Sequence, residues 1–322
     1  MFDIITVGSA AIDVFIKTKS SDVEVEKVNK HEDICMPLGA KILIDELVTD
    51  TGGGGTNTAV SFSRLGFKTG WLGIIGNDLN SKLILDQIKK EKVSFLGKHA
   101  KGGSGFSVIL TGWKENRTIL TFKGINNNLK IKDIDFKKLR TKWFYFASMM
   151  GESWNSLKKI ARFALEKKIP VAFNPSLYLA EKGKKELLPV LKAVKILVLN
   201  KEEAQALTKK SKINDLLKDL QKTVPITVIT DGDKGAFAYD GKIKYVLQIP
   251  DIVPVETTGA GDSFASAFVA SIIKKQSISR ALKNGFVQAR SVLSAFGAKN
   301  KLLSWKELSS KKSKTRVIET FL

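Results

Sequence analysis

The chain has one cysteine, Cys35, and two histidines, His31 and His99, among its 322 residues. A lone cysteine excludes an internal disulfide and suits a reducing compartment. So few histidines argue against a histidine-rich metal centre and against a histidine-based triad; both read as solvated residues at loop edges. No apolar run approaches the roughly 20 residues that a bilayer span needs. Residues 1–5 carry no basic segment ahead of their apolar stretch, which acids interrupt at Asp3 and Asp13, so they do not read as a secretory signal. The expectation is a cytoplasmic protein with no membrane partner.

Arginine is also scarce. Of 53 basic residues only 7 are arginine and 46 are lysine, set against 32 acids, for a formal net charge of +21. Nucleic-acid readers favour arginine, whose planar fork matches phosphates and base edges. Here lysine is spread along the whole chain, with no arginine-rich tract and no interleaved aromatic platform. That pattern reads as a solvated surface whose field attracts small anions such as nucleotides, with no specific nucleic-acid partner. There is no G-x-x-x-x-G-K-[ST] string and no HRD–DFG set, which excludes a P-loop enzyme and a protein kinase.

What is present is a 43% hydrophobic chain with alternating strand-like and helix-like segments, enough for one large α/β core or two domains. Strands are expected at residues 3–7, 69–75, 143–147, 171–173, 196–199 and 226–230. Helices are expected near 58–65, 80–90, 153–168, 184–193, 201–208 and 213–222. Such alternation predicts βαβ units and a largely parallel sheet, whose ligands sit at the C-terminal strand ends. Two stretches break the rhythm: residues 14–50, with strand-like segments at 14–17 and 42–44, and residues 104–123, with a hairpin turn at 112–116. They are expected to form a small β-subdomain, inserted twice, that covers the strand ends as a lid and excludes water. A lysine/serine cluster at 309–314 reads as an exposed turn before a last strand.

The most informative segment is Thr257-Thr258-Gly259-Ala260-Gly261-Asp262-Ser263-Phe264, followed by an apolar run of helical spacing. It puts a Gly-Ala-Gly turn at a helix N-terminus, where free N–H groups and the helix dipole favour an anion. A carboxylate at such a place would repel a simply bound phosphate. It makes sense as a base that takes a proton from a hydroxyl while the N–H groups hold a phosphoryl group in transfer. Gly52-Gly53-Gly54-Gly55-Thr56-Asn57 opens a second helix, where glycines permit close approach and Asn57 offers an amide to a hydroxyl, or serves as an ordinary N-cap. Asp13, after Gly8-Ser9, can accept from two sugar hydroxyls or form a turn. Asn200-Lys201-Glu202-Glu203 fits a capping box and equally a pair that holds the waters of Mg²⁺. Thr230-Asp231-Gly232-Asp233-Lys234-Gly235 allows a tight turn beneath a nucleotide.

Together, over residues 8 to about 305, these motifs resemble the ribokinase-like (PfkB) family of carbohydrate and nucleoside kinases. The segment 257–264 resembles its C-terminal signature, Gly52 to Asn57 with Gly66 its N-terminal signature, and Asn200 with Glu203 its N-x-x-E motif. The resemblance implies a three-layer α/β/α fold, one kinase domain over 1–322 with the β-lid, and ATP-dependent phosphorylation of a primary hydroxyl on a sugar, with nucleosides and sugar phosphates as alternative acceptors. It implies Asp262 as base and Gly259, Ala260 and Gly261 as anion hole. Asp13, Gly53, Gly54 and Asn57 would hold the acceptor, and Asn200 and Glu203 would organise Mg²⁺. Thr230, Gly232 and Gly235, with Asn284 and Gln288, would border ATP. Glu256 and Thr258, with the Gly297 loop, match the family's monovalent-cation site, so K⁺ stays open; Lys301 near that loop offers an ammonium in its place. Lid strands with an apolar face would let two copies pair.

Overall fold

The computed structural model describes residues 1–18, 20–21, 23–28, 31–113, 116–311 and 313–322. Lys114 and Glu115 of the expected hairpin turn, Lys312 of the lysine/serine cluster and the side chain of His31 lie outside the described residues.

A ten-stranded sheet forms the middle layer. Its spatial order is Arg316–Phe321, Ile243–Gln248, Ala236–Tyr239, Ile226–Thr230, Val194–Asn200, Val171–Phe173, Phe144–Phe146, Ile4–Val7, Thr69–Leu72 and Ser94–Phe95. From Ile226–Thr230 to Ser94–Phe95 every pairing is parallel. The remaining edge is an antiparallel meander that ends in the expected terminal strand.

Side chains of the central strands alternate between the two faces, as a two-residue period requires. Both faces are covered, which is why these strands read as unbroken apolar runs. Ile5, Val7, Phe144, Phe146, Val171, Phe173, Leu197 and Leu199 enter one core, against the helices Gly151–Glu166, Gly183–Leu191, Lys201–Thr208 and Ile213–Gln221. Ile4, Tyr145, Ala172, Ile196 and Val198 enter the other, against Gly54–Arg64, Ala260–Ile273 and Ile278–Val292. Each such large apolar side chain contributes roughly 1.5–3 kcal/mol by leaving water, so these two cores hold the three layers together. The expected α/β/α architecture is therefore the observed one.

A second sheet of four strands has the order Asn116–Phe122, Gly105–Trp113, Ala11–Lys17 and Glu46–Gly52. It stands where the lid strands were expected, with two corrections. Residues 42–44 form no strand; that strand begins at Glu46. Asp13 does not precede this sheet but lies inside it, on Ala11–Lys17 opposite Ser107 and Asp50. A separate hairpin, Glu24–Val28 with His31–Cys35, was not foreseen, because its charged residues mask the alternation.

Chain order fixes where a crevice opens. From Ile4–Val7 the chain crosses to Thr69–Leu72 on one side, and it later enters Phe144–Phe146 on the other. The two directions diverge at the C-terminal ends of Ile4–Val7 and Phe144–Phe146, where open α/β sheets bind ligands.

Candidate active site

A cavity of about 460 Å³ opens at that switch point. Its floor comes from residues at or just past strand ends: Ser9, Ala147, Ser148, Asn174, Asn200 and Thr230. Its roof is the inner face of the four-stranded sheet. Ala11, Asp13, Gly105, Ser107, Ile109, Arg117, Ile119 and Thr121 line it, each two apart along its strand, so the pleat delivers them all to one face.

The glycine run closes one wall, and each glycine answers a different neighbour. Gly52 packs on the Asp13 carboxylate and Gly55 on the Gly8 backbone, so neither leaves room for a Cβ. Gly53 caps the Gly54–Arg64 helix with a φ of 93°, a left-handed value that favours glycine. A Cβ on Gly54 would stand 3.6 Å from the Asp262 carboxylate and 3.1 Å from the Ala147 Cβ, so this glycine faces the cavity. The helix starts earlier than expected because the Ser9 carbonyl accepts from the Gly55 N–H at 3.0 Å.

Asp262 lies in the first turn of Ala260–Ile273, whose N-cap is Gly259 at a φ of 79°, with no side-chain cap. The turn presents Gly259 and Gly261 to the cavity. The Ala260 N–H instead donates to the Thr257 carbonyl at 3.3 Å. Asn57 Nδ2 donates to Asp262 Oδ2 at 2.9 Å. Behind it, the Lys299 ammonium donates to Asn57 Oδ1 at 2.7 Å and also to the Thr51 carbonyl. Lys299 is 1% exposed. Burial pushes its ammonium down to about 8, opposed by Asp50, Asp13 and Asp262. Burial likewise raises the Asp262 carboxyl, while Asn57 and Lys299 draw it back. Asp13 is raised by burial too, against a Ser107 hydrogen bond and the charge of Lys299.

Asn200 and Glu203 form a complete capping box: Asn200 Oδ1 accepts from the Glu203 N–H at 2.8 Å, and Glu203 Oε2 accepts from the Asn200 N–H at 2.8 Å. Both also line the cavity. Burial raises the Glu203 carboxyl to about 7, against the Asn200 backbone bond. A buried carboxylate that lines the cavity is a ligand whose desolvation Mg²⁺ would relieve, and the cap leaves Oε1 for the ion's waters. Among the described residues no group of three or more His, Cys, Asp or Glu could hold a metal directly.

A second cavity of about 660 Å³ adjoins the first and shares Thr230, Thr257 and Gly261 with it. Gly232 and Gly235 border it, and Ile249, Ile252, Phe264, Phe286 and Leu293 make it largely apolar. The N-terminus of Ala260–Ile273 thus stands at the junction of a polar and an apolar chamber.

Three expectations need correction. Asn284 and Gln288 do not reach this chamber: Asn284 is 3% and Gln288 0% exposed, bonded to Ser271 and to the Leu303 backbone. Their helix does reach it, through Phe286, Ala289, Arg290 and Leu293. Glu256 and Thr258 are bonded to each other where a monovalent cation was an open expectation. The Glu256 oxygens accept from the Thr258 N–H at 2.8 Å and hydroxyl at 2.7 Å, and Arg117 stands 3.8 Å away as its counter-charge. Lys301 is an exposed residue; the ammonium buried beside the site belongs to Lys299.

Arg117, Lys123 and Lys299 were missed in the sequence. Each is one basic residue among 53, and only the fold brings Arg117 and Lys123 to the cavity and Lys299 behind Asn57.

Comparison with known proteins gives the family and the fold. The family model described as pfkB family carbohydrate kinase matches residues 1–305. A protein of Archaeoglobus fulgidus called an uncharacterized sugar kinase is 27% identical over 250 residues, covering 76% of this chain and 98% of its own. The adenosine kinase of Sinorhizobium meliloti superposes with a TM-score of 0.81 at 20% identity, over 96% of this chain and 98% of that one. The ribokinase of Arabidopsis thaliana, solved with ribose and ATP, does so with 0.78 at 20%, over 96% and 97%. At such identities the solved structures establish the fold alone.

Proposed function

The chain belongs to the pfkB family of carbohydrate kinases, and from that premise we propose that it transfers the γ-phosphoryl group of ATP to a primary hydroxyl of a sugar. One observation carries the reading: Asp262 and the uncapped helix start before it lie where a polar chamber meets an apolar one. An acceptor in the polar chamber would give hydroxyls to Asp13 and approach the backbone at Gly53 and Gly54. Asp262 takes the proton of the attacking hydroxyl, held in line by Asn57. The N–H groups of Gly259 and Gly261 face the phosphoryl group, joined by Ala260 if its bond to Thr257 opens. Mg²⁺, held through water by Asn200 and Glu203, would supply charge neutralisation of the phosphates. The adenine would fill the apolar chamber. Phosphoryl transfer is loose, so positioning and charge matter more than early proton removal.

We read the four-stranded sheet as a lid on a single kinase domain, its inner face completing the acceptor chamber. Its outer face carries Ile16, Leu47, Val108, Leu110 and Leu120, with Leu47 and Leu120 well exposed. That apolar face supports pairing of two copies through their lids.

A sugar-phosphate acceptor is a second reading, favoured by two cations in the polar chamber. Arg117 and Lys123 line it, both lowered by burial, and the Arg117 Nε is buried without a hydrogen-bond partner. Cations so placed attract an anionic substituent. A coupled ADP-release assay over sugars, sugar phosphates and nucleosides decides: sugar turnover is expected, preference for phosphorylated sugars selects the second reading, and preference for nucleosides rejects both.

A further inference from the structure

The buried ammonium of Lys299 lies one residue behind the proposed base. We infer that Lys299 is a positioning residue, which sets the orientation of the Asn57 amide and through it aims and charges the Asp262 carboxylate. The inference rests on the reading of Asp262 as the base.

A side-chain amide has one accepting end and one donating end, and its hydrogen-bond partners decide which way it faces. An ammonium carries three donors and no acceptor, so it can donate only to the oxygen end of Asn57. Lys299 sits 2.7 Å from Oδ1, which leaves Nδ2 to donate to Asp262 Oδ2 at 2.9 Å. That donation requires Oδ2 to be an acceptor, which the ionised carboxylate always is. The order ammonium, amide, carboxylate runs in one sense only, so Lys299 sets which way the Asn57 amide faces, and its charge favours the ionised form of Asp262.

Lys299 is held for this purpose from the far side. Its second bond, to the Thr51 carbonyl, ties it to the strand Glu46–Gly52. Its neighbours Ala298 and Gly259 are in close contact, so the loop that carries Lys299 packs on the turn that carries Asp262. A buried ammonium is costly unless paired, and a hydrophobic residue of its volume would fill the same place at less expense in solvation. Asp50, Asp13, Asp262 and Glu91 all act on its charge, and of these Asp13 and Asp262 line the cavity. The Asp262 carboxyl is in turn faced by Asn57 and Lys299, and its charge is felt by Asp13, Glu203 and Tyr145.

Two variants separate charge from shape. Lys299→Met keeps the volume and removes every donor. Lys299→Gln keeps one donor for Asn57 Oδ1 without the charge. Both are compared with wild type by kcat, by KM for ATP and acceptor, and by titration of the Asp262 carboxyl, followed by NMR on protein labelled at the aspartate carboxyl carbons and assigned with Asp262→Asn. Lys299→Met should lower kcat by about 10–100-fold, the usual cost of losing the partner that orients a working group. Both KM values should stay within about threefold, and the Asp262 titration should move up by about one unit, as loss of a nearby cation requires. Lys299→Gln should recover part of kcat with less of the titration. Unchanged kcat in Lys299→Met overturns the proposal whether or not the titration moves, as does an unmoved titration. If neither variant folds, Lys299 is a structural tie and the proposal also fails. Should wild type transfer phosphoryl to no acceptor, the proposed function falls while the titration still decides whether Lys299 governs Asp262.

Discussion

Two helices start at the cavity with an acid in the first turn, and they treat their free N–H groups in opposite ways. At Lys201–Thr208 the acid closes the end: Glu203 and Asn200 satisfy each other's backbone. At Ala260–Ile273 the cap is a glycine, no side chain closes the end, and Asp262 turns away to Asn57. A closed start is spent on the helix. An open start costs local stability and leaves its donors for a ligand. An acid in the first turn therefore has two roles, decided by whether its carboxylate faces its own helix's backbone.

If this contrast is right, variants at the two starts should separate activity from stability. Asp262→Asn comes first in size: kcat should fall on the order of 10²–10⁴-fold, as loss of a general base implies, with thermal unfolding little changed. A variant that loses stability in proportion to activity would erase the difference between the two starts.

Glu203→Gln tests the other start by pH. Burial raises this carboxyl from 4.5 to about 7 in the folded protein. The folded state therefore prefers the protonated form. The associated stability is fully present below about 4.5 and is lost as pH rises through about 7. Glutamine imitates the protonated form and keeps an oxygen for the Asn200 N–H. Its melting temperature, relative to wild type without ligands, should rise between pH 5 and pH 8. A constant difference would show that Glu203 carries no such strain.

Asn200→Ala is the smallest of the three. Loss of an N-cap costs about 1 kcal/mol, readable as a lowered midpoint in denaturant. A larger loss of activity than of stability would mean that Asn200 serves the ligand more than its helix.

The fold was legible where periodicity and burial agree. The strands Val171–Phe173 and Ile226–Thr230 and the helix Lys201–Thr208 stand where their apolar patterns put them. The site was legible where short motifs carry backbone chemistry, as at Gly52 to Asn57 and Gly259 to Asp262. It was not legible where a lone side chain is recruited by tertiary structure. Lys299 is one of 46 lysines, and only the packing of Ala298 on Gly259 brings it behind Asn57. Asn284 and Gln288 show the reverse: their helix borders the apolar chamber, but helix–helix packing turns these two into the core.

The most direct test of the account follows the phosphoryl group itself. ATP labelled at the γ-phosphorus is mixed with excess enzyme and the acceptor chosen by the panel, and the reaction is quenched within one turnover. Wild type should place the label on the acceptor's primary hydroxyl, at a rate that Asp262→Asn reduces at least about 10²-fold. Label released only as inorganic phosphate, or transferred equally fast by Asp262→Asn, would contradict the account.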